Sequence, residues 1–443
     1  MKRWYRDTRV HLIYLGRLSR AQVLRALLRL SLFLFALEER INPAKRSEEM
    51  RILVMVVGGM GDCLLCDSMF RRIREKWPHS RIDVMFMSFP ELWKRMESFD
   101  NYLFFSPEQP KMPWSYFQLF RTLYRNHYDI AAEGLAMLPK QGIYPIFSGI
   151  VLEASRAPIR IGRRTAGRNI LLHPRRRRFF FHKMMSDVWS QNGENKDAGT
   201  DSCVTHIIKL LPPEKRSRHE SARVFTPLGI EYKRTRDEPK ILPDPLLDTW
   251  AQNLLRGEWA KQDDIIVGFT IETTKSIKSW PRENFASILE RGIRNNLKFV
   301  MLGLNPEGSE SPLQRFSGDR LLDLTGKTGL GEMIAVIGRC DLFFSCDTGP
   351  AHIAQALRVP TTVLFGPSNE REFGPSDHEL HTLILPPEEF KCRPCVLGPC
   401  VKGKTCMQAI SPEVVFNAIM KKAGDLTGCW NGPSFDCEGP ERV

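Results

Sequence analysis

Two regions of the chain repeat one pattern: a short unbroken apolar run, a cluster of small residues, then a longer amphipathic segment. The first opens at Arg51–Val57 (RILVMVV), a continuous apolar run of the kind found in strands buried on both faces. It ends at Gly58-Gly59-Met60-Gly61-Asp62. Cys63 to Trp77 then reads as one helix, stopped by Pro78. Arg81–Met87 is a second strand and Tyr128–Glu133 a weaker one. The second region begins at Asp264. Its predicted strands are Ile265–Thr270, Lys298–Gly303, Leu321–Leu324, Asp341–Ser345, Thr361–Phe365 and His381–Leu385, with helices between most of them. Such alternation predicts parallel α/β sheets. Two halves that open in the same way predict two doubly wound domains facing across a cleft, with ligands at the carboxyl ends of the strands. The expected divisions are an extension over 1–48, domains over 49–245 and 246–425, and a tail over 426–443. The charged, proline-containing stretch 212–245 ends as a linker.

Composition narrows the class. The 443 residues suit two or three domains, and 42% hydrophobic with 26% charged residues excludes a wholly disordered chain. The net charge of +13 favours an anionic partner. That charge is local. Residues 1–47 carry +8 and residues 156–183 carry +10, so the other 368 residues sum to −5. The bulk is therefore no basic nucleic-acid-binding body. The one nucleic-acid candidate is Arg175–Arg178 beside Phe179-Phe180-Phe181, without a recognised module around it. Eleven cysteines, an odd number and sparse until the end of the chain, point to a reducing compartment. Leu24 to Leu37 (LRALLRLSLFLFAL) is interrupted by Arg25 and Arg29, is too short an apolar run to span a bilayer, and is followed by no cleavage site. It reads as a basic amphipathic helix on an anionic membrane surface, against the alternative of a helix packed on the protein's own body.

Four stretches carry candidate chemistry. The loop Gly58, Gly59, Met60, Gly61 lets backbone approach a ligand, but it is neither a dinucleotide fingerprint, since Leu64 stands where a third glycine belongs, nor a P-loop. Asp62 at the start of the following helix suits either an N-cap or a general base at the cleft. In Cys346-Asp347-Thr348-Gly349-Pro350-Ala351-His352, a strand runs into a helix whose free N–H groups and dipole favour a diphosphate. His352 there is either a packing residue or part of that site. Thr273, Thr274 and Lys278, between a strand and the helix from Pro281, offer hydroxyls and an ammonium to phosphate oxygens, or form a solvated loop. Cys392, Cys395, Cys400 and Cys406 are spaced closely enough to hold zinc, but more tightly than in ordinary zinc fingers, and a loop of reduced or opportunistically paired thiols is the expectation.

Taken together, these stretches resemble glycosyltransferase family 9, the ADP-heptose:lipopolysaccharide heptosyltransferases. The matching pieces are ILVMVVGGMGDCLLCDSMFRRIREKWP, KSWPRENFASIL and LTGKTGLGEMIAVIGRCDLFFSCDTGPAHIAQALRVPTTVLFGPSNEREFGP, and the Cys-rich loop leading to Ile410-Ser411-Pro412-Glu413 looks similar too. The likeness covers roughly residues 50–420, in the family's order. It implies a GT-B architecture with an N-terminal acceptor domain and a C-terminal nucleotide-sugar domain, and an inverting, metal-independent transfer needing no cofactor beyond an ADP-sugar donor. By the same resemblance Asp62 matches the catalytic aspartate, and Thr273, Thr274 and Lys278 match phosphate-contacting positions. Asp347, Thr348 and Gly349, with Pro350 and His352, match the motif holding sugar and diphosphate. Glu307 lies where the family has an acid for the ribose. The implied acceptor is an anionic glycolipid of lipopolysaccharide-core type, met at the cytoplasmic face of the inner membrane with residues 1–47 in peripheral contact. Alternatives are another sugar or acceptor within the family, and a non-catalytic glycan- or nucleic-acid-binding protein on the same fold.

Overall fold

The computed structural model describes residues 23–24, 26–43, 48–105, 113–136, 144–164, 206–209, 222–230, 239–304, 313–316, 318–395, 400 and 405–427. The chain divides into two compact units: Met1–Trp93 with Glu97–Arg234, and Lys94–Met96 with Thr235–Val443.

Unit 1 is a six-stranded sheet of β1 (Arg51–Val57), β2 (Arg81–Phe86), β3 (Asn101–Phe104), β4 (Ile130–Ala136), β5 (Ile159–Arg164) and β6 (His206–Lys209). Its order is β3-β2-β1-β4-β5-β6, and every pair is parallel. The most apolar strand, β1, is buried from Ile52 to Val57 and lies mid-sheet, as a run without polar alternation requires. The expected helix after β1 is two helices, Met60–Leu65 and Asp67–Lys76. They meet at Cys66, whose N–H bonds to the carbonyl of Cys63 at 3.2 Å in a turn tighter than an α-helix.

Unit 2 is a second parallel six-stranded sheet: β7 (Ile265–Thr270), β8 (Leu297–Met301), β9 (Leu321–Asp323), β10 (Leu342–Cys346), β11 (Thr361–Leu364) and β12 (His381–Ile384). Its order is β12-β11-β10-β7-β8-β9. All six strands expected from the apolar runs form, with ends shifted by a residue or two. An aromatic cluster fills one side of the core. Phe269 stacks on Phe344 at 5.5 Å and Trp280 meets Phe285 edge-on at 5.0 Å. Each such pair contributes about 0.5–1.5 kcal/mol beyond area burial.

Both sheets share one doubly wound order. In each, the first strand of the unit lies beside the fourth, and the direction of winding reverses between them. That places one switch point between β1 and β4, and another between β7 and β10. The crevice outside the carboxyl ends of such a strand pair is where open α/β sheets take their ligands. The loops leaving β1, β7 and β10 are therefore the ones to inspect.

Candidate functional site

In unit 2 the loop after β7 and the loop after β10 meet at the switch point. Trp280 anchors the first: its ring is buried and its Nε1–H donates to the carbonyl of Ile410 at 3.1 Å. Thr273 Oγ1 lies 2.8 Å from both the carbonyl of Lys275 and Oγ of Ser279, which closes the loop on itself. A one-turn 3-10 helix, Ser276–Lys278, then aims Lys278 at the strand ends. Its ammonium donates to Oδ2 of Asp347 at 2.5 Å and lies 3.5 Å from that residue's carbonyl. Thr274 is exposed beside it.

Asp347 is 5% exposed and follows β10 directly. Its N–H bonds to the carbonyl of Leu364 at 3.1 Å, which fixes it between β10 and β11. Its other carboxylate oxygen lies 3.3 Å from Nε2 of His352. Burial alone would raise the Asp347 pKa. The Lys278 charge and the bonds from His352 and Lys278 outweigh it and hold the carboxyl well below the usual carboxylate range. A group with a depressed folded pKa stabilises the fold above its unfolded value, about 3.9, and loses that contribution as pH falls toward the folded value. The urea-unfolding gap between the wild type and Asp347→Asn is thus expected to be widest at pH 7 and to shrink measurably by pH 3. A gap that stays constant would show the ion pair to be energetically idle.

The helix Gly349–Ala356 starts here. Thr348 is its N-cap residue in extended conformation, without a side-chain capping bond, and a proline occupies the first turn. The helix therefore brings first-turn N–H groups to the Lys278–Asp347 pair. On its buried side, Nδ1 of His352 and both amide atoms of Gln355 have no hydrogen-bond partner among the described residues. Buried polar atoms left so cost about 1–3 kcal/mol each. Cys346 is no nucleophile: burial pushes its thiol up to about 12.

In unit 1 the loop after β1 is built around Asp62. This residue is not the N-cap. Gly59 holds that position, and Asp62, at the third helical residue, reaches back so that its Oδ2 accepts the Gly59 N–H at 2.8 Å. Proximity requires the glycine at 58, since a Cβ there would stand 2.6 Å from that of Asp62. The neighbouring thiol, Cys63, is driven well above its ordinary value, chiefly by burial and then by Cys66 and Asp62. Within this loop Asp62 is the carboxylate beside the carboxyl end of β1.

The structure thus brings Lys278, Asp347, Thr348, Gly349, Pro350 and His352 together, with Thr273 supporting the same loop. Glu307 and the Arg175–Arg178 run lie outside the described residues. Cys392 is exposed, Cys395 and Cys400 are half-buried, and Cys406 is buried, and none of the four is in a disulfide among the described residues. No group of three or more His, Cys, Asp or Glu side chains is placed to hold a metal ion among the described residues.

Two contributors had not been singled out in the sequence. Arg393 donates to the carbonyls of Phe365, Gly366 and Ser368 and pairs with Glu370 at 2.9 Å, holding the loop that leaves β11. No local signal marks an arginine whose partners are more than twenty residues away. Glu272, beside Thr273, has its pKa raised by burial. A carboxylate just past a buried strand was the available clue.

The model of glycosyltransferase family 9 (heptosyltransferase) matches residues 228–405. Lipooligosaccharide heptosyltransferase 2 of Campylobacter jejuni is 30% identical over 103 residues, 23% of this chain and 32% of that protein. The match therefore spans about a third of that relative's length. The Haemophilus influenzae enzyme of the same name is 24% identical over 371 residues, covering 78% of this chain and 91% of its own. Among solved structures, a family 9 glycosyl transferase from Veillonella parvula aligns with a TM-score of 0.62 at 19% identity, over 86% of this chain and 99% of that one. Escherichia coli ADP-heptose lipopolysaccharide heptosyltransferase II aligns at 0.57 and 17%, over 85% and 100%. These structural likenesses establish the fold, the two-sheet GT-B type. Family model, relatives and fold agree in what this chain is similar to, the heptosyltransferases of glycosyltransferase family 9.

Proposed function

We propose that the chain is an inverting glycosyltransferase that moves a heptose from ADP-heptose to a lipopolysaccharide-core-type acceptor without a metal ion. The observation that carries this reading is the Lys278–Asp347–His352 cluster at the mouth of the Gly349–Ala356 helix. It sets a lysine ammonium, oriented by Asp347, beside a helix N-terminus at the switch point of a doubly wound sheet, which suits a diphosphate. The relatives named for heptosyl transfer, and the solved enzyme named for ADP-heptose, support the choice of donor.

In this reading unit 2 takes the donor. The first-turn N–H groups and Lys278 stabilise the charge that grows on the diphosphate as the bond to the anomeric carbon breaks and ADP leaves with its electron pair. Asp347, held ionised between Lys278 and His352, accepts hydrogen bonds from sugar hydroxyls. Unit 1 supplies the base. Asp62 removes the acceptor hydroxyl proton while that oxygen bonds to the anomeric carbon from the face opposite the leaving group, which inverts the configuration. The acceptor is an anionic glycolipid on the cytoplasmic face of the inner membrane.

The test is incubation with ADP-heptose and a core oligosaccharide lacking its terminal heptose. Equal amounts of ADP and extended product are expected, with proton NMR showing the new linkage inverted relative to the donor. ADP release from a different nucleotide-sugar, and none from ADP-heptose, would replace the donor assignment. A retained configuration would remove the single-displacement mechanism.

A further inference from the structure

The helix over 26–41 precedes the first strand and takes no part in the chemistry above. One face is built into unit 1. Leu24, Leu28, Ser31 and Phe35 are buried, and Phe35 packs against Phe117 at 4.9 Å and Tyr124 at 5.5 Å. Both acidic residues of the helix serve this docking. Glu38 pairs with Arg121 and, at 3.0 Å, with Arg125. Glu39 accepts the Tyr124 hydroxyl at 2.5 Å and lies 3.4 Å from His127. The sequence offered membrane contact and packing on the body as alternatives, yet packing occupies only one face.

The other face is apolar and open. Leu30, Phe33, Leu34, Leu37 and Ile41 recur three and four residues apart, so they form one stripe. Phe33 is 62% exposed and Ile41 86%. Trp114, 62% exposed at the start of the helix Pro113–Arg125, stacks at 5.1 Å on Phe117, the ring that packs against Phe35 of this helix. Arg29 and Arg40 are exposed about three turns apart on one flank of the stripe. With Glu38 and Glu39 committed to Arg121, Arg125, Tyr124 and His127, the stripe is bordered by cations. No helix among the described residues is long and apolar enough to cross a membrane.

We propose that this face seats on an anionic bilayer surface. Phe33, Leu34, Leu37 and Trp114 enter the headgroup boundary, and Arg29 and Arg40 meet lipid phosphates. A large apolar stripe, an interfacial tryptophan and flanking arginines are the features of a helix lying in that boundary. Charge decides against a second copy as occupant. A two-fold contact through this stripe would bring the arginines of both copies to one interface, with no exposed carboxylate of the helix to answer them. The proposal rests on the glycolipid-acceptor reading only for its purpose, because lipid binding is measured without any sugar.

The experiment is sedimentation of the full chain with vesicles of phosphatidylglycerol or of phosphatidylcholine. Binding to the anionic vesicles is expected, at least tenfold tighter than to the neutral ones and weakened by 0.5 M salt. Phe33→Glu combined with Leu37→Glu, at exposed positions, is expected to lower that affinity at least tenfold, with an unchanged unfolding midpoint and unchanged transfer to a lipid-free acceptor. Arg29→Gln with Arg40→Gln, which leaves the packing intact, is expected to lower it about tenfold or more. Equal binding to both vesicle types, full binding by both double variants, or a wild-type dimer that the glutamates dissociate would overturn the proposal. Lost vesicle binding beside normal ADP release would leave the transfer reading standing, and the reverse result would leave the membrane face standing.

Discussion

Lys278→Met is expected to weaken ADP binding about 10- to 100-fold, which corresponds to losing a charge-assisted hydrogen bond of about 1.5–3 kcal/mol. Turnover is expected to fall by about a further 10²-fold, because the diphosphate carries more charge in the transition state than in the ground state. Lys278 also neutralises Asp347, which is 5% exposed. Removing one partner of a buried pair costs about 3–5 kcal/mol. Here the lysine side chain retains 23% exposure, so solvent reduces the cost to about 1–2 kcal/mol. The two effects separate in a double variant. Adding Asp347→Asn to Lys278→Met removes the unpaired charge, so stability in urea is expected to recover while ADP affinity stays low. Titration calorimetry reads the first quantity and urea unfolding the second. Unchanged ADP affinity in Lys278→Met would make the lysine a structural counter-ion only, and the diphosphate would have to bind elsewhere.

How legible each part was in the sequence follows from how local its cause is. Strands β1, β7 and β10 are buried on both faces, so their apolar runs stand out. Strand β5, IRIGRR, and the short edge strand β6 carry charges and were absorbed into a basic segment and an unassigned stretch. The outer strands of a sheet meet solvent and are protected by charge, which hides the apolar signal. The break at Cys66 was invisible for a different reason: it depends on one tightened turn inside an otherwise continuous helical pattern. At the site, Asp347 and Lys278 each stood out as members of a loop at a strand end. Their pairing did not, because 69 residues separate them and only the order β10-β7 brings them together. Arg393 was wholly illegible, since its carbonyl partners on the loop after β11 have no sequence signature. Motif spacing therefore names candidates, and sheet order decides which of them share a site.

Asp62→Asn is expected to lower turnover about 10²- to 10⁴-fold, the usual worth of a positioned general base, with ADP affinity nearly unchanged. The substitution is clean because of the way Asp62 is held. Its Oδ2 accepts the Gly59 N–H, and the carbonyl oxygen of an asparagine can accept the same bond, though without the charge. The turn and the helix after it are then preserved, while the amide cannot take a proton. Asp62→Ala, by contrast, also removes the bond to Gly59, so about 1 kcal/mol of stability is expected to go with the activity. The two variants should therefore differ in urea unfolding and agree in turnover. The pH profile of kcat/KM gives a further separation: the wild type is expected to lose rate on its acid side as a carboxylate protonates, and Asp62→Asn to lose that limb. If Asp62→Asn kept most of its turnover, with the acid limb intact, Asp62 would serve only to close the glycine turn, and the base would have to be sought on another strand end of unit 1.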